Sequence, residues 1–240
     1  MTKLRVAALS DIGKIRARNE DRCILDERTQ IFGVADGVGG MPFGGEAAQA
    51  AHDAVCEAFR SLEPGRKPQL DQIVQAANRA VGALGRTLNP GGGGIATTLT
   101  FGSFRDGRAE IAHVGDSRAY GWNEGRFGQL TKDHTVGEEA RSRRSLADQL
   151  SRAWADRHAL TRCLGPAATL QVDLIAQPLL AGDRYLFCTD GLTNHVNEDE
   201  LAILSRQTKE PATILKELVA AALRRGGTDN VSAVLVLVEN

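Results

Sequence analysis

The sequence has few cysteines, almost no net charge and no long apolar run, and each of these absences excludes a class of protein. Its four cysteines are scattered and form no C-x-x-C pair, which argues against zinc bound through thiolates and favours reduced thiols in a cytoplasmic protein. A formal net charge of -1 gives no bulk attraction to nucleic acid or to an anionic membrane. No apolar run could span a bilayer, and residues 1–10 contain no apolar segment of the signal-peptide type.

Acidic residues, in contrast, stand where apolar runs give way to glycine turns or polar loops. Four such clusters lie far apart in the chain: Asn19-Glu20-Asp21, Asp36-Gly37-Val38-Gly39-Gly40, Thr189-Asp190-Gly191 and Gly227-Thr228-Asp229-Asn230. Carboxylates at the ends of buried strands are costly unless positive charge compensates them. If the four ends converge, their repulsion requires divalent cations, and we expect a pair of them. Oxygen ligands without His or Cys favour Mg²⁺ or Mn²⁺ over Zn²⁺ or Cu²⁺.

The alternative interpretation is that each Asp-Gly pair is only a turn, which is the usual role of an isolated pair. We expect no more than a turn from Asp106-Gly107. Two hard cations close together would instead generate hydroxide near neutral pH and hold phosphoryl oxygens for in-line attack. Such a site also needs a forked positive group for the remaining phosphate oxygens, and Arg16 or Arg18 could supply it.

Other phosphatase chemistries lack their motifs in this sequence. No cysteine is followed by arginine at the spacing of a thiolate phosphate loop, and there is no Asp-x-Asp pair and no H-E-x-x-H. The glycine run at residues 91–94 has no lysine at P-loop spacing, so we expect a flexible turn there.

Predicted strands and helices come in blocks, which favours an antiparallel α+β sandwich with helices packed outside, in one domain. Strands are predicted at residues 4–10, 23–26, 30–36, 97–104, 108–114, 118–122, 170–176, 184–188 and 231–238. One helix follows the glycine-rich turn at residues 37–45, and a second begins near Leu70. Asn197 opens a capping box, and a last helix begins at Pro211.

Taken in order along the chain, these motifs resemble those of the metal-dependent protein phosphatases of the protein phosphatase 2C (PPM) type, in their compact bacterial form. The resemblance runs nearly end to end. It rests on Ser10-Asp11-Ile12-Gly13 with residues 16–21, residues 35–40, residues 114–118 with Gly115-Asp116-Ser117-Arg118, residues 130–135, residues 160–165, Thr189-Asp190-Gly191 and Thr228-Asp229-Asn230. It implies a four-layer αββα sandwich of two antiparallel β-sheets flanked by helices, with the metals in a cleft at one sandwich edge.

The same resemblance implies roles for individual residues. Asp36 would bridge two Mn²⁺ or Mg²⁺ ions, the carbonyl of Gly37 would bind one of them, and Asp190 and Asp229 would bind the other. Asp116 with Asp190 would form a third, weaker cation position, and Glu20 and Asp21 would contact the cations through water or at the edge of the site. Arg16, in preference to Arg18, would bind the phosphate. Asn230 would support Asp229. The implied reaction is hydrolysis of phosphoserine and phosphothreonine by direct attack of hydroxide held between the ions, without a phosphoenzyme.

The sequence departs from the family pattern at two places. Some relatives carry His two residues after the bridging Asp, where it can protonate the leaving alkoxide. This sequence has Val38 at that position, so no side chain is assigned as the general acid. A water held by the metals is the provisional choice. Residues 135–159 would form the flap beside the cleft, and they are less typical of the family. The flap residues that could contact substrate are Arg141, Arg143, Arg144, Arg152, Arg157 and His158. The alternative for the arginines is a solvated helix with paired charges, and for His158 an ordinary surface position.

The function predicted from these observations is a serine/threonine protein phosphatase that opposes a bacterial kinase and acts as a monomer on phosphorylated proteins. Two alternatives remain. One is a catalytically silent module that binds phosphoproteins, although such proteins usually lose a metal ligand and none is missing here. The other is a phosphatase of the same fold acting on a sigma-factor regulator, although such relatives usually carry sensor domains.

Overall fold

The computed structural model describes residues 3–63, 65–123, 125–142 and 156–239, and the strands among them form two antiparallel sheets of five strands each. The strands are β1 (Leu4–Asp11), β2 (Arg22–Asp26), β3 (Ile31–Ala35), β4 (Leu99–Arg105), β5 (Arg108–Val114), β6 (Arg118–Asn123), β7 (Arg126–Gln129), β8 (Asp173–Pro178), β9 (Arg184–Cys188) and β10 (Val231–Val238). One sheet has the order β1-β10-β9-β6-β7, and the other has the order β2-β3-β4-β5-β8.

Helices cover the outer face of each sheet, so the predicted four-layer sandwich is confirmed. The helices are α1 (Gly44–Arg60), α2 (Leu70–Leu88), α3 (Val136–Ser142), α4 (Asp190–Thr193), α5 (Glu198–Ser205) and α6 (Pro211–Arg224). Helices α1 and α2 pack on the second sheet, whereas α4, α5 and α6 pack on the first. In the described part of the chain, no helix combines the length and the hydropathy that crossing a bilayer requires.

Strands buried on both faces explain why apolar residues are continuous rather than alternating in the centre of each sheet. In β3, Phe32 and Val34 enter the core between the sheets, whereas Ile31 and Ala35 enter the core beneath α1 and α2. All eight residues of β10 are buried for the same reason. Burial of apolar surface on both faces is the main stabilising contribution to such central strands.

The antiparallel register places the acidic clusters at one end of the sandwich. The start of β10 lies beside the ends of β1 and β9, through the pairs Asp11–Val231 and Cys188–Ala233. In the other sheet, the start of β2 lies beside the end of β3, and the start of β4 lies beside the end of β5. The chain crosses between the sheets at this same end, after β1 and after β5.

Several helix ends follow their sequence signals. Asn197 accepts a hydrogen bond from the backbone N–H of Glu200 at 3.0 Å, and the Glu200 side chain accepts one in return, so the capping box is confirmed. Pro211 stands in the first turn of α6, as predicted. A cap of this kind contributes on the order of 1 kcal/mol.

Two local predictions need correction. The strand predicted at residues 170–176 is β8, which begins only at Asp173, because Leu170 and Val172 pack against the helix layer instead of pairing in the sheet. Strand β7 was missed, since four residues are too few to show alternation. Helix α3, at the start of the expected flap, agrees with the solvated-helix alternative for this segment.

Candidate metal centre

The acidic clusters meet in one cleft of about 250 Å³ at the end of the sandwich. The residues that line it are Arg16, Glu20, Asp36, Gly37, Val38, Gly39, Thr98, Asp116, His158, Ala159, Leu160, Asp190, Asp229 and Asn230. Every predicted cation ligand except Asp21 is in this set. Carboxylates from both sheets therefore face a single space, which is the arrangement that the cation hypothesis requires.

Asp36 is held by backbone pairing with the start of β4. Its N–H donates to the Thr98 hydroxyl at 3.0 Å, and its carbonyl accepts from the Thr98 N–H and the Thr97 hydroxyl, both at 2.8 Å. These bonds fix the backbone of the residue directly after β3, and with it the position from which the carboxylate enters the cleft.

The carboxyl groups of the cleft repel one another. Burial, followed by the charges of Asp21, Asp190, Asp116 and Asp229, raises the pKa of Asp36 well above its ordinary value. Burial and then the charge of Asp190 raise the pKa of Asp116 to about 7. The pKa of Asp190 is raised by burial and by Asp229. A bound cation would supply positive charge that offsets this burial and repulsion.

Asp21 lies behind the cleft rather than in it. The residue is only 3% exposed, and its Oδ2 accepts a hydrogen bond from the Thr189 hydroxyl at 2.9 Å. Oδ1 is buried without a hydrogen-bond partner, and burial raises the pKa of this carboxyl to about 6. An orphaned buried carboxylate oxygen beside Asp36 is consistent with a missing positive charge. The predicted contact of Asp21 with a cation through water stays a prediction.

Arg16 reaches across the cleft opening. Its Nη2 donates to Asp229 Oδ2 at 2.7 Å, and its side chain remains 38% exposed. A Cβ at Gly39 would lie 2.9 Å from the same nitrogen, so the glycine leaves room for the guanidinium. The exposed fork can therefore meet an anion that enters the cleft. Arg18 is not among the residues lining it.

Asn230 ties the Arg16 loop to the start of β10. Its Nδ2 donates to the carbonyls of Ile12 and Arg18 at 2.8 and 2.9 Å, and its Oδ1 accepts from the Glu20 N–H at 2.8 Å. Its own N–H donates to Asp229 Oδ1 at 2.8 Å. The residue thus fixes Asp229 and Glu20 relative to each other.

Glycine is required where the two acidic turns of the first sheet meet. A Cβ at Gly191 would lie 1.9 Å from the Asn230 carbonyl oxygen, a distance that no side chain tolerates. This close approach brings Asp190 beside Asp229. The glycine after Asp190 is therefore a packing requirement of the site.

A buried hydroxyl network beneath the cleft was not predicted from the sequence. The Thr98 and Ser117 hydroxyls lie 2.7 Å apart, and the Thr100 hydroxyl lies 2.8 Å from Nδ1 of His113. Nε2 of His113 donates to the Lys132 carbonyl at 2.9 Å, and burial lowers the pKa of this imidazole to about 4, so it is neutral. The signal in the sequence was polar residues in otherwise apolar strands, which indicate an internal partner.

Removing the Thr98 hydroxyl should destabilise the protein. Thr98→Val leaves the Asp36 N–H without its acceptor, and an unsatisfied buried group costs about 1–3 kcal/mol. Thr98→Ser keeps the hydroxyl and should lose less than half as much. Urea denaturation of both variants measures the difference; equal losses would show that the methyl group, not the hydrogen bond, carries the effect.

Of the flap residues predicted to contact substrate, some lie beside the cleft and others fall outside the described part of the chain. Arg141 pairs with Glu138 within α3 at 3.3 Å, as the solvated-helix alternative predicts, and lines a pocket of about 120 Å³ that adjoins the cleft. This flap pocket shares Asp116, His158 and Asp190 with the cleft. Arg143, Arg144 and Arg152 lie outside the described residues.

Among the described residues, no three His, Cys, Asp or Glu side chains already form a compact metal cage. The carboxylates instead face one another across an open cleft, with Arg16 on one of them. Mg²⁺ usually keeps several waters and takes only one or two protein carboxylates, so an open, oxygen-lined cleft fits hard divalent cations. The donor set and its raised pKa values fit Mn²⁺ or Mg²⁺ better than a softer metal.

Comparison with known proteins gives a consistent result. A sequence model of the family described as protein phosphatase 2C matches residues 16–235. The serine/threonine protein phosphatase PstP of Mycobacterium tuberculosis is 35% identical over 97% of the chain, which spans only 44% of that relative's length. The serine/threonine phosphatase stp of Listeria innocua is 28% identical, over 95% of this chain and 93% of its own.

A solved structure shows the same similarity in three dimensions. The catalytic domain of PstP in complex with two manganese ions superposes with a TM-score of 0.85 and 32% identity, over 100% of both chains.

Proposed function

Because the chain belongs to the protein phosphatase 2C family, we propose that it is a metal-dependent phosphatase that removes phosphate from phosphoserine and phosphothreonine. The observation that carries this proposal is the meeting of Asp36, Asp190, Asp229 and Arg16 in one cleft. The related structure with two manganese ions supports a pair of cations as cofactors. We include in the proposal a single domain over residues 1–240, with a flap at about residues 135–159.

The cleft residues would hold the cations in the roles that the family resemblance implies. Asp36 would bridge both ions, with the Gly37 carbonyl on one of them. Asp190 and Asp229 would hold the other, and Asp116 with Asp190 would hold a third. Glu20 lines the cleft and would bind through water, as would Asp21 from behind. When bound, such cations supply a hydroxide nucleophile near neutral pH and neutralise charge on the phosphoryl group.

Residues of this chain orient the substrate for direct, in-line attack on phosphorus. Arg16 would exchange its contact with Asp229 for two phosphate oxygens, because a fork-shaped guanidinium binds them with two parallel hydrogen bonds. Asn230 keeps the loop that carries Arg16 in place. Arg141, together with Arg143 and Arg144, would contact acidic residues of the phosphoprotein from the flap.

In the cell, we propose that the chain acts in the cytoplasm as a monomer and opposes a bacterial serine/threonine kinase. All four cysteines are unpaired, which suits a reducing compartment. Comparison of the phosphoproteomes of wild-type and deletion strains tests this: accumulation of phosphoserine and phosphothreonine supports it, and an unchanged phosphoproteome contradicts it.

Release of phosphate from a phosphothreonine peptide tests the activity itself. The purified chain should release phosphate with added Mn²⁺ and stop when a chelator is present, because the cleft carboxylates cannot activate water alone. Activity that persists at full rate in excess chelator, or no activity at any Mn²⁺ concentration, would contradict the proposed function.

A further inference from the structure

The leaving group of a phosphoserine or phosphothreonine is an alkoxide, which needs a proton as the P–O bond breaks. The side chains that line the cleft limit what could provide it. Arg16 does not give up its proton, because an arginine side chain stays charged in proteins. The Thr98 hydroxyl is engaged with Ser117. Carboxylates that hold cations are ionised, and Val38 carries no proton to donate.

Among the side chains of the cleft, His158 remains as the alternative to a water held by the metals, and it is the only described histidine that lines the cleft. It shares both the cleft and the adjoining flap pocket with Asp190 and Asp116, so its side chain lies beside the proposed cation ligands. His158 is also exposed, so its ring can regain a proton from solvent after each turnover. Its surroundings carry both signs of charge, from Asp116, Asp190 and Glu138 and from Arg141 and Arg157.

The backbone on either side of His158 is fixed by pairing with the start of α3. The N–H of Val136 donates to the Ala159 carbonyl at 3.0 Å, and the N–H of Gly137 donates to the Arg157 carbonyl at 3.1 Å. A Cβ at Gly137 would lie 2.8 Å from the same Arg157 oxygen, so the two segments are in close contact. The imidazole is therefore presented to the cleft from a paired segment, which is what a catalytic group needs.

We propose that His158 is the general acid that protonates the leaving oxygen of the substrate. It would take the role that a histidine has in some relatives at the position of Val38. The proposal rests on the proposed function. In the step, the attacking oxygen forms its bond to phosphorus while the bond from phosphorus to the serine or threonine oxygen breaks. The imidazolium proton passes to that oxygen, giving a free hydroxyl side chain, inorganic phosphate and a neutral imidazole. General acid catalysis of this kind contributes about 10²- to 10⁴-fold to a rate.

A pair of substrates with different leaving groups tests the proposal. The leaving group of a phosphothreonine peptide is the threonine alkoxide, which requires a proton. The leaving group of p-nitrophenyl phosphate is p-nitrophenolate, a stable anion that does not. His158→Asn should lower kcat on the peptide on the order of 10²-fold and leave kcat on p-nitrophenyl phosphate nearly unchanged. His52→Asn, on α1 outside the cleft, is the matched control and should affect neither substrate.

Mn²⁺ affinity by calorimetry and the melting temperature provide readouts besides activity, and both should be the same for His158→Asn and the wild type. Equal losses on the two substrates, or a loss of Mn²⁺ affinity that accounts for them, would overturn the general acid role, as would no loss at all. A wild-type chain inactive on both substrates would overturn the proposed function, and this proposal with it. An active wild type with equal losses overturns only the role of His158.

Discussion

Replacing Asp36 with asparagine is expected to lower the Mn²⁺-dependent rate of phosphate release on the order of 10³-fold, because metal-ion catalysis supplies several kcal/mol of transition-state stabilisation. Asparagine keeps the size of the side chain and removes its charge, so the site loses the ligand proposed to bridge both cations. The measurement is kcat on a phosphothreonine peptide at saturating Mn²⁺.

The same substitution should stabilise the metal-free protein. Asp36 lies among Asp21, Asp190, Asp116 and Asp229, and burial with their charges raises its pKa. Removing one charge from such a cluster relieves repulsion, so the melting temperature in chelator should rise while activity falls.

Asp106→Asn is the matched control for Asp36→Asn. Asp106 also precedes a glycine, but it stands in an exposed turn with a φ of 52°, a conformation that asparagine adopts readily. It should change neither activity nor the melting temperature. A fully active Asp36→Asn variant, or one whose metal-free form is less stable than wild type, would contradict the role given to Asp36.

Binding of Mn²⁺ is expected to stabilise the folded protein strongly. At one hundred times its Kd, a cation that binds only the folded state contributes about 2.7 kcal/mol, which for a protein of this size raises Tm by roughly 5–10 °C per ion. Saturating Mn²⁺ should therefore raise the melting temperature strongly, and a chelator should reverse the change. Scanning calorimetry measures the melting temperature with Mn²⁺ and with chelator. A melting temperature that changes with neither would contradict the cation site.

The pH dependence of the metal-free protein has a defined sign. A carboxyl group with a raised pKa binds more protons in the folded state than in the unfolded state, so its contribution to stability is lost as pH rises through the folded pKa. Asp116, with a pKa of about 7, and Asp36, with a pKa raised well above the ordinary value, act in this way. His113 acts in the opposite direction, because its lowered pKa makes the folded state bind fewer protons.

The opposing contribution of His113 is confined to acid pH, since a histidine in the unfolded chain titrates near 6.5. Between about pH 6.5 and 8, the melting temperature in chelator should therefore fall as pH rises. The increase due to Mn²⁺ should grow over the same interval, because cation binding displaces protons. A chelated protein whose melting temperature rises across this interval would contradict the electrostatic description of the cleft.

The sequence predicted the parts of the fold that have strong local signals. The buried run from Val231 to Val238 and the capping box at Asn197 formed as expected, because apolar continuity and side-chain capping act over a few residues. Strand β7 has only four residues, and its place beside β6 comes from tertiary pairing. The apolar residues Leu170 and Val172 misled the prediction of β8, because packing on a helix gives the same pattern as a strand.

The acidic residues of the cleft could be predicted for a different reason. Asp36, Asp190 and Asp229 each stand at the end of a buried strand, where an uncompensated charge is costly and needs a cause. The hydroxyl network of Thr98, Ser117 and His113 could not be predicted in the same way, because its members come from three segments whose contact depends on the register of β4 and β5. The position of His158 likewise depends on backbone pairing between the start of α3 and residues 157–159, at the two ends of the flap.

Anomalous scattering from a crystal of the chain soaked in MnCl₂ tests the cation site most directly. We predict two strong peaks in the cleft, with Asp36 contacting both and Asp190 and Asp229 sharing one of them. A well-ordered crystal at saturating MnCl₂ with no anomalous peak beside these three side chains would contradict the proposed metal centre.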